Sequence, residues 1–502
     1  MSKKYMMAID AGTTSSRCII FNQASEIVSV AKMEFDQILN TLGWVEENPR
    51  EIWATTYEVI SEALNLKGIK LDEISSIGIT NQRETTIIWD KKTGEPVYNA
   101  IVWQSRQSQE ITDEWINKGY KDMVHKKTGL LIDPYFSASK IRWIFDHVPG
   151  TYERAKAGEL LFGTVDCFIA WKLSEGALHI TDVSNASRTM LFNINTLEWD
   201  QELLDLFDIP KEILPEVRAS SERYGNATAL KRIEDVDVPI CSLIGDQQAA
   251  LFGHCCFKEG DVKNTYGTGC FTLMNTKSKP CFSNNGLLTT VAWKIGDEVD
   301  YALEGSVFVA GSAIQWLRDG MRIINSAGDC EIYSTREPSS NGVYVVPAFV
   351  GLGTPYWDDD ARGAVFGMTR GTKKEHFINA TVESIAYQSK DVIEVMKTES
   401  GIKLQTLAVD GGCSANNYLM QFQADILPAE ICRPAVGEVT ALGAAYLAGL
   451  CSGYWATRDD INKARKIDKI FLPIMKESER QAKYAGWQCA VKATQAFKIN
   501  KK

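Results

Sequence analysis

Apolar residues recur with two different periods from the start of the chain. An apolar run, YMMAID from Tyr5, is followed by a Gly-Thr-Thr-Ser-Ser turn and a second β-prone run, RCIIFN. Two such runs around a short polar turn predict strands joined in a hairpin. EIVSVAKMEF predicts a third strand, while the helical spacing of apolar residues over 53–66 predicts a helix. ISSIGIT then predicts the next strand.

The same succession of elements begins again at Asp261. There DVKNTYGTGCFTLMNT places a Gly-Thr turn between two β-prone runs, as in the first hairpin. Upstream of it, IGDQQAALFG combines an apolar strand end, an acidic turn and a helix of small residues. The chain therefore reads as two lobes that each offer a hairpin loop to a shared cleft.

We place the domain boundary near Gly253, with one domain over 1–253 and the other over 254–502. No Pro/Gly-rich linker separates them, so we expect extensive contact between the lobes. The last stretch, 458–502, predicts mostly charged amphipathic helix.

Composition excludes several classes of protein. Apolar residues make up 45% and charged residues 24% of the 502 residues, and no run of about 18 uncharged apolar residues is present. The formal net charge is −10, and the dispersed basic residues argue against a nucleic-acid partner. MSKKYMMAIDAG lacks the apolar core of a signal peptide, so we expect a cytoplasmic protein without an integral membrane segment. Twelve cysteines without a C-x-x-C pair favour reduced core residues.

Both predicted hairpins are suited to holding phosphate groups. DAGTTSSR, residues 10–17, offers closely spaced backbone N–H groups, hydroxyl donors and one guanidinium. Asp10 at the strand end is suited to Mg²⁺, directly or through water. Alone, this segment is equally compatible with an ordinary turn whose Asp caps its own backbone. YGTGC, residues 266–270, adds a second candidate cradle because its glycines flank Thr268.

A third glycine-rich turn is suited to a nucleotide. VDGGCSANNYLMQFQADIL predicts a strand, then Gly411 and Gly412, then a helix with Asn416 near its polar start. Backbone N–H groups at a helix start attract phosphate, and paired glycines allow a base or ribose to lie against the main chain. The P-loop, the Rossmann fingerprint and the protein-kinase motifs are all absent.

Asp246 is the candidate general base. It lies where the apolar strand of IGDQQAAL meets a helix, and a carboxylate of ordinary pKa suffices for a late proton transfer if it is correctly positioned. The alternative is a helix N-cap.

Adjacent Arg83 and Glu84 in ITNQRETTIIWD are suited to neighbouring hydroxyl groups, because one donates and the other accepts hydrogen bonds. Trp103, Tyr135 and Phe271 could form aromatic walls for a polyol, although each could also have a packing role alone.

These residues, together with GWVEENP, NAIVWQSR, SNASRTMLFNI, ALEGSVFVAGSAIQWLRDG and VVPAFVGLGTPYWD, occur in blocks that resemble the FGGY carbohydrate kinases. Within that family the blocks are most similar to those of members that phosphorylate glycerol. The resemblance covers nearly the whole chain and implies an α/β fold of two ribonuclease-H-like domains, as in the actin, sugar-kinase and Hsp70 superfamily, flanking a central cleft. It also implies ATP and Mg²⁺ as cofactors and a homodimer or homotetramer.

Carried over by position, the resemblance gives each candidate residue a role. Asp246 is the base and Asp10 serves Mg²⁺. The residues that would surround glycerol are Arg83, Glu84, Trp103, Tyr135, Asp246, Gln247 and Phe271. Those that would contact the nucleotide are Thr13, Thr14, Ser15, Arg17, Thr268, Gly311, Gln315, Gly412 and Asn416. One departure is Ala11, where the family usually has Gln; we expect phosphate binding to persist because the neighbouring residues are kept.

Two other functions stay open at this stage. A family member acting on another polyol or a ketose such as xylulose would need a different pocket around positions 83 and 84. A nucleotide-dependent switch related to actin or Hsp70 would need no polyol pocket.

Overall fold

The computed structural model describes residues 3–358 and 360–497. In the first half of the chain, the described helices and strands are β1 (Tyr5–Ala11), β2 (Ser15–Asn22), β3 (Ile27–Glu34), β4 (Gln37–Leu39), β5 (Val45–Glu47), α1 (Pro49–Asn65), β6 (Ile74–Asn81), β7 (Ile87–Asp90), β8 (Ala100–Ile101), α2 (Gln109–Asn117), α3 (Lys121–Thr128), α4 (Ser137–His147), α5 (Thr151–Lys156), β9 (Leu160–Gly163), α6 (Val165–Leu173), β10 (Ile180–Asp182), α7 (Val183–Ala186), β11 (Phe192–Asn193), β12 (Glu198–Trp199), α8 (Gln201–Phe207), β13 (Glu216–Arg218), β14 (Ser221–Asn226), β15 (Pro239–Gly245) and α9 (Asp246–Gly253).

The second half continues with β16 (Val262–Tyr266), β17 (Cys270–Lys277), β18 (Leu288–Ile295), β19 (Glu298–Val307), α10 (Gly311–Asp319), α11 (Asp329–Arg336), β20 (Tyr344–Val346), β21 (Ala364–Phe366), α12 (Lys374–Ser400), β22 (Leu407–Asp410), α13 (Asn417–Ile426), β23 (Ile431–Pro434), α14 (Val439–Ser452), α15 (Arg458–Ala464), β24 (Ile467–Phe471) and α16 (Glu477–Ala496).

One strand arrangement occurs twice in the main sheet. In the first half the order is β3-β2-β1-β6-β15, and in the second it is β19-β17-β16-β22-β23. In the first unit β1 forms an antiparallel hairpin with β2 and pairs in parallel with β6, which pairs in parallel with β15. In the second unit β16 forms an antiparallel hairpin with β17 and pairs in parallel with β22, which pairs in parallel with β23. The two Gly-Thr turns predicted from the sequence therefore occupy equivalent positions in the two units.

The strands of the two units meet through β14 and β18. Their register contains one pair, Ser221 with Ile295. A larger contact comes from α14, which belongs to the second half but packs on β1, β6, β15 and α9. A Cβ atom added at Gly443 would lie 1.9 Å from the carbonyl oxygen of Ala249, so only glycine allows α14 to lie this close to α9. The halves thus share one cluster of buried apolar residues, which includes Ala8 of β1 and Ala444 of α14, besides the larger cluster of each half.

Local sequence explains the elements that lead to the candidate site. Every residue of β1 from Met6 to Ile9 is buried, as expected for a central strand covered on both faces. Helix α1 begins at Pro49 after Asn48, whose side-chain oxygen accepts the N–H of Arg50 over 3.0 Å. The predicted first hairpin, the helix near 53–66 and the second hairpin are confirmed.

The prediction of mostly helix over 458–502 is confirmed for the described part, and the structure adds one strand. Helices α15 and α16 are present, but β24 lies between them and pairs with β23 at the edge of the sheet. Residues 498–502 of this predicted segment lie outside the described residues.

Most cysteines are buried, and all twelve are free thiols, in agreement with the prediction of reduced core residues. Within residues 3–358 and 360–497, no helix is both long enough and apolar enough to cross a membrane.

Candidate active site

Three neighbouring parallel strands of the first half end at one edge of the sheet, and they bring two predicted acidic residues together. Ala11 of β1 pairs with Asn81 of β6, which pairs with Gly245 of β15. Asp10 and Asp246 therefore lie at the same edge. Burial raises the pKa of Asp10 to about 7, with Arg17 opposing the shift and the negative charge of Asp246 adding to it.

Asp246 is the first residue of α9, and Gly245 occupies the cap position. Its Oδ1 accepts the N–H of Gln247 over 2.7 Å and lies 3.2 Å from Nε of Arg83. Burial raises the pKa of Asp246, while Arg83 and Lys263 lower it. About a third of the side chain, 30%, is exposed, so the carboxylate can reach a small molecule as well as its protein partners.

Four charged side chains form a closed ring beside Asp246, which we call the charged ring: Arg83, Glu304, Arg188 and Glu84. Arg83 donates from Nη1 and Nη2 to Glu304 over 2.5 and 2.9 Å. Arg188 donates to Glu84 over 2.6 Å and to Glu304 over 3.1 Å. The predicted pair, Arg83 and Glu84, has its nearest charged atoms 3.9 Å apart, so each of these residues is held mainly by a partner distant in the sequence.

The three predicted aromatic residues lie together. The ring centroid of Trp103 is 5.7 Å from that of Tyr135 and 6.3 Å from that of Phe271, with both pairs nearly perpendicular. The hydroxyl oxygen of Tyr135 also accepts a long hydrogen bond from Nη2 of Arg83, over 3.4 Å. Because Phe271 comes from β17, the wall contains residues of both halves.

The first hairpin turn contacts this wall directly. Trp103 donates from Nε1 to Oγ1 of Thr13 over 3.1 Å. Thr14 is exposed at the tip, whereas Ser15 is buried at the start of β2. Arg17 pairs with Glu438 over 2.8 Å. Of the predicted phosphate-contacting residues in this turn, Thr13 and Thr14 are accessible without rearrangement.

The second hairpin turn packs on the start of α10 and on the third glycine-rich turn. The carbonyl oxygen of Thr268 accepts the N–H groups of Ala310 and Ser312 over 2.9 and 3.1 Å. A Cβ atom at Gly311 would lie 2.5 Å from the carbonyl oxygen of Gly267 and 3.1 Å from Sγ of Cys413, next to Gly412. The structure thus brings Thr268, Gly311 and Gly412 together.

The two remaining predicted nucleotide residues lie on nearby helices. Gln315 is exposed one turn after Gly311 on α10. Asn416 caps α13, where its side-chain oxygen accepts the N–H of Leu419 over 3.0 Å. The oxygen of Asn416 is thus already used, while its amide N–H groups remain as possible donors.

Comparison with known proteins identifies the family. The N-terminal domain of the FGGY family of carbohydrate kinases matches residues 5–253, and its C-terminal domain matches residues 262–451. The chain belongs to the FGGY family of carbohydrate kinases. It is 60% identical to a glycerol kinase of Thermus thermophilus over 495 residues, which cover 99% of this chain and 100% of that protein. A glycerol kinase of Geobacillus kaustophilus is also 60% identical over the same coverage.

Solved structures of this family have the same fold. The crystal structure of Plasmodium falciparum glycerol kinase with ADP matches this FGGY kinase with a TM-score of 0.93 and 36% identity, over 98% of each chain. A gluconate kinase from Lactobacillus acidophilus matches with a TM-score of 0.88 and 22% identity, again over 98% of each chain. The predicted fold class, two α/β domains of the sugar-kinase type, is confirmed.

Several polar residues of the FGGY kinase site were missed by the sequence analysis. Lys263 is buried and donates from Nζ to Gln247 and, over 3.0 Å, to Thr265. Burial lowers the pKa of Lys263 to about 8. Asp410 accepts Nε2 of His254 over 2.6 Å and thereby links the end of α9 to the strand before Gly411.

Arg188 and Glu304 were missed as well. Arg188 lies in the block SNASRTMLFNI and Glu304 in the block ALEGSVFVAGSAIQWLRDG, both of which carried the family resemblance. Their place in these blocks was the signal that could have marked them as site residues. Nothing in the local pattern around Glu304, whose strand also contains Glu298 and Asp300, indicates a partner 221 residues away.

The donor set around Asp10 fits Mg²⁺. The described residues contain no group of three His, Cys, Asp or Glu side chains that could form a complete metal cage. Mg²⁺ at phosphate sites needs only one or two carboxylates, with phosphate and water oxygens completing its shell. Asp10 provides such a carboxylate, at the sheet edge that it shares with Asp246.

Proposed function

We propose that this FGGY kinase transfers the γ-phosphoryl group of ATP to a terminal hydroxyl of glycerol, yielding sn-glycerol 3-phosphate. The observation that carries the proposal is the position of Asp246, 3.2 Å from Arg83 and at the sheet edge shared with Asp10. The two glycerol kinases that are 60% identical over 99% of this chain support glycerol as the acceptor.

The acceptor pocket would combine polar and aromatic contacts. Arg83 and Gln247 would donate to glycerol oxygens, and Glu84 would accept from its hydroxyl groups. Trp103 and Phe271 would cover the C–H surface and exclude water. Because every charged member of the ring is at least 97% buried as a residue, its geometry is set before glycerol arrives, which reduces the entropy lost on binding.

Asp246 would act as the general base. Its partly exposed carboxylate would accept the proton of the attacking hydroxyl as the bond to phosphorus forms, and Arg83 would keep the carboxylate oriented. In a loose transition state the proton of the attacking hydroxyl is transferred late. The main contribution of Asp246 would therefore be to position that hydroxyl.

The nucleotide side would be formed by the three glycine-rich turns. Thr13, Thr14 and Thr268 would hold phosphate oxygens, with Ser15 and Arg17 contributing through the backbone and the local positive charge. Gly311, Gln315, Gly412 and Asn416 would contact the remainder of the nucleotide. Mg²⁺, held by Asp10, would neutralise phosphate charge when bound.

We further propose that residues 1–253 carry the acceptor pocket, the first phosphate turn and the base, and that 254–502 carry the second phosphate turn and the adenosine site. A cytoplasmic homodimer or homotetramer is the expected form. Light scattering of the purified chain would measure its mass, and a monomer at micromolar concentration would contradict that expectation.

The proposed function is tested by offering ATP, Mg²⁺ and a panel of acceptors to the purified chain. Glycerol, xylulose and gluconate are compared by ADP release, and glycerol 3-phosphate is measured with a coupled dehydrogenase. We expect kcat/KM for glycerol to exceed that of the other acceptors by at least about 100-fold, since a site built for specific hydroxyl groups rejects a poor match strongly. Preference for xylulose would identify a different acceptor. ATP binding without phosphorylation of any acceptor would favour a nucleotide switch.

A further inference from the structure

Glu304 is the member of the charged ring that comes from the second half of the chain. It lies on β19, within the match to the C-terminal FGGY domain, whereas Arg83, Glu84 and Arg188 lie within the match to the N-terminal domain. Only 2% of its side chain is exposed. Glu304 touches both arginines of the charged ring, Arg83 and Arg188.

The hydrogen bonds of Glu304 determine how Arg83 is oriented. Its two oxygens accept Nη1 and Nη2 of Arg83 over 2.5 and 2.9 Å, a bidentate arrangement that fixes the plane of the guanidinium. In that plane Nε of Arg83 lies 3.2 Å from Oδ1 of Asp246. Gln248 adds a longer contact to Nη1, at 3.3 Å, from the helix that begins with Asp246.

The ring is balanced in charge. Two guanidinium groups and two carboxylates alternate, and removing Glu304 would leave Arg83 and Arg188 with Glu84 as their remaining ring carboxylate. A buried charge that loses its partner destabilises the folded state by several kcal/mol unless another group compensates it. Arg83 would then be free to leave its present plane, and its existing contact with Asp246, 3.2 Å from Nε, would change with it.

We infer that Glu304 is a positioning residue of the phosphoryl-transfer site: it fixes the plane of the Arg83 guanidinium and so sets the geometry in which Nε of Arg83 holds the Asp246 carboxylate. The inference rests on the proposed function of Asp246. It also means that the base is correctly set only when β19 of the second half lies against the acceptor pocket.

Electrostatics gives this role a distinctive signature. The charged groups that face Asp246 are Arg83 from the end of β6, Lys263 from β16, Glu304 from β19 and Asp10 from β1. Burial opposes the ionisation of Glu304, but Arg188 and Arg83 outweigh it and lower its pKa to about 2. Glu304 is thus a fixed negative charge at neutral pH. That charge raises the pKa of Asp246, so its removal should lower the pKa of the base.

The test is E304Q in the full chain, with kcat/KM for glycerol measured as a function of pH. We expect kcat/KM to fall about 100-fold at neutral pH and the acidic limb of the profile to move about one unit towards lower pH. The matched control is D300N, which neutralises another buried carboxylate of β19 that pairs with Lys277 over 2.8 Å. Its acidic limb should coincide with that of the unaltered chain. An unmoved limb in folded E304Q would overturn the inference.

A second variant keeps the inference testable if E304Q does not fold. E304D retains the charge but withdraws the carboxylate by one methylene group. We expect a lower kcat/KM with the acidic limb at its original pH, and unchanged kcat/KM would contradict the positioning role. Failure of the unaltered chain to phosphorylate glycerol would refute the proposed function itself, which distinguishes the two failures.

Discussion

The indole N–H of Trp103 donates to the hydroxyl oxygen of Thr13 across 3.1 Å. This bond joins the aromatic wall of the acceptor pocket to the tip of the first phosphate turn. A shift of either element therefore acts on the other, because the rigid indole ring transmits the displacement.

Removing this hydrogen bond should weaken the cooperation between the two substrates. W103F retains an aromatic ring but lacks the N–H donor, and a typical hydrogen bond contributes about 1 kcal/mol, or roughly fivefold in binding. We expect the effect of bound nucleotide on glycerol affinity to fall by about fivefold, measured by titration calorimetry with and without ADP. W53F, on the partly exposed face of α1, is the control. Equal coupling in W103F and the unaltered chain would contradict the role of the bond.

Replacing the base should separate catalysis from nucleotide binding. D246N keeps an oxygen that can accept the N–H of Gln247 but cannot take the proton of the attacking hydroxyl. We expect kcat to fall by on the order of 10³-fold, within the range typical of general-base catalysis, with ADP affinity changed less than about threefold. The exposed carboxylate of Asp113 on α2 provides the control D113N, which should retain full activity. Unchanged glycerol turnover in D246N would remove Asp246 from the mechanism.

A side chain at Gly311 should disturb the nucleotide side alone. The added methyl group of G311A would lie 2.5 Å from the carbonyl oxygen of Gly267, which forces the second phosphate turn to move. Overpacking of this kind costs about 1–3 kcal/mol, so we expect the KM for ATP to rise about 10-fold or more while the KM for glycerol changes little. In G371A the nearest atom would be 3.8 Å away, and its kinetics should match those of the unaltered chain. A parallel rise in both KM values for G311A would point to a general loss of structure.

His179 should make the stability of the protein depend on pH. Its Nε2 contacts the carbonyl oxygen of Phe162 over 2.8 Å, and burial lowers its pKa to about 4. The unfolded chain, with a His pKa of about 6.5, takes up a proton first as the pH falls, so stability is lost between these values. From pH 8 to pH 5 this loss amounts to about 2 kcal/mol.

The variant H179Q keeps a donor for Phe162 but does not titrate. We expect the free energy of unfolding, measured by urea denaturation at pH 8 and pH 5, to fall less in H179Q than in the unaltered chain. The difference between the two proteins should be about 2 kcal/mol. Identical pH dependence in the two proteins would show that the imidazole of His179 is not protected in the folded state.

The elements around the two hairpins could be predicted because their signals are local. Apolar runs on both sides of a Gly-Thr turn specify the strands, and the acidic turn before α9 marks where Asp246 emerges from a strand. Asp10 and Asp246 were each predicted at a strand end, and they lie at one sheet edge because β1, β6 and β15 are parallel neighbours, an order that strand assignment alone does not give. The catalytic and binding roles of these residues stay predictions until they are measured.

The remaining site residues could not be predicted from local patterns, because their burial depends on contacts between the two halves. Glu304 and Lys263 are charged residues inside β-strands, and only the folded chain shows which opposite charges or hydrogen-bond acceptors compensate them. Strand β24 was not predicted for a related reason. Its conformation depends on pairing with β23, which lies earlier in the chain.

The narrow join between β14 and β18 has a mechanical consequence. Because one residue pair, Ser221 and Ile295, connects the strands of the two units, we expect any rotation of one unit against the other to be centred on the packed helices α9 and α14. Asp246 is the first residue of α9. We therefore expect such a rotation to displace the candidate base less than the tips of the two hairpin turns.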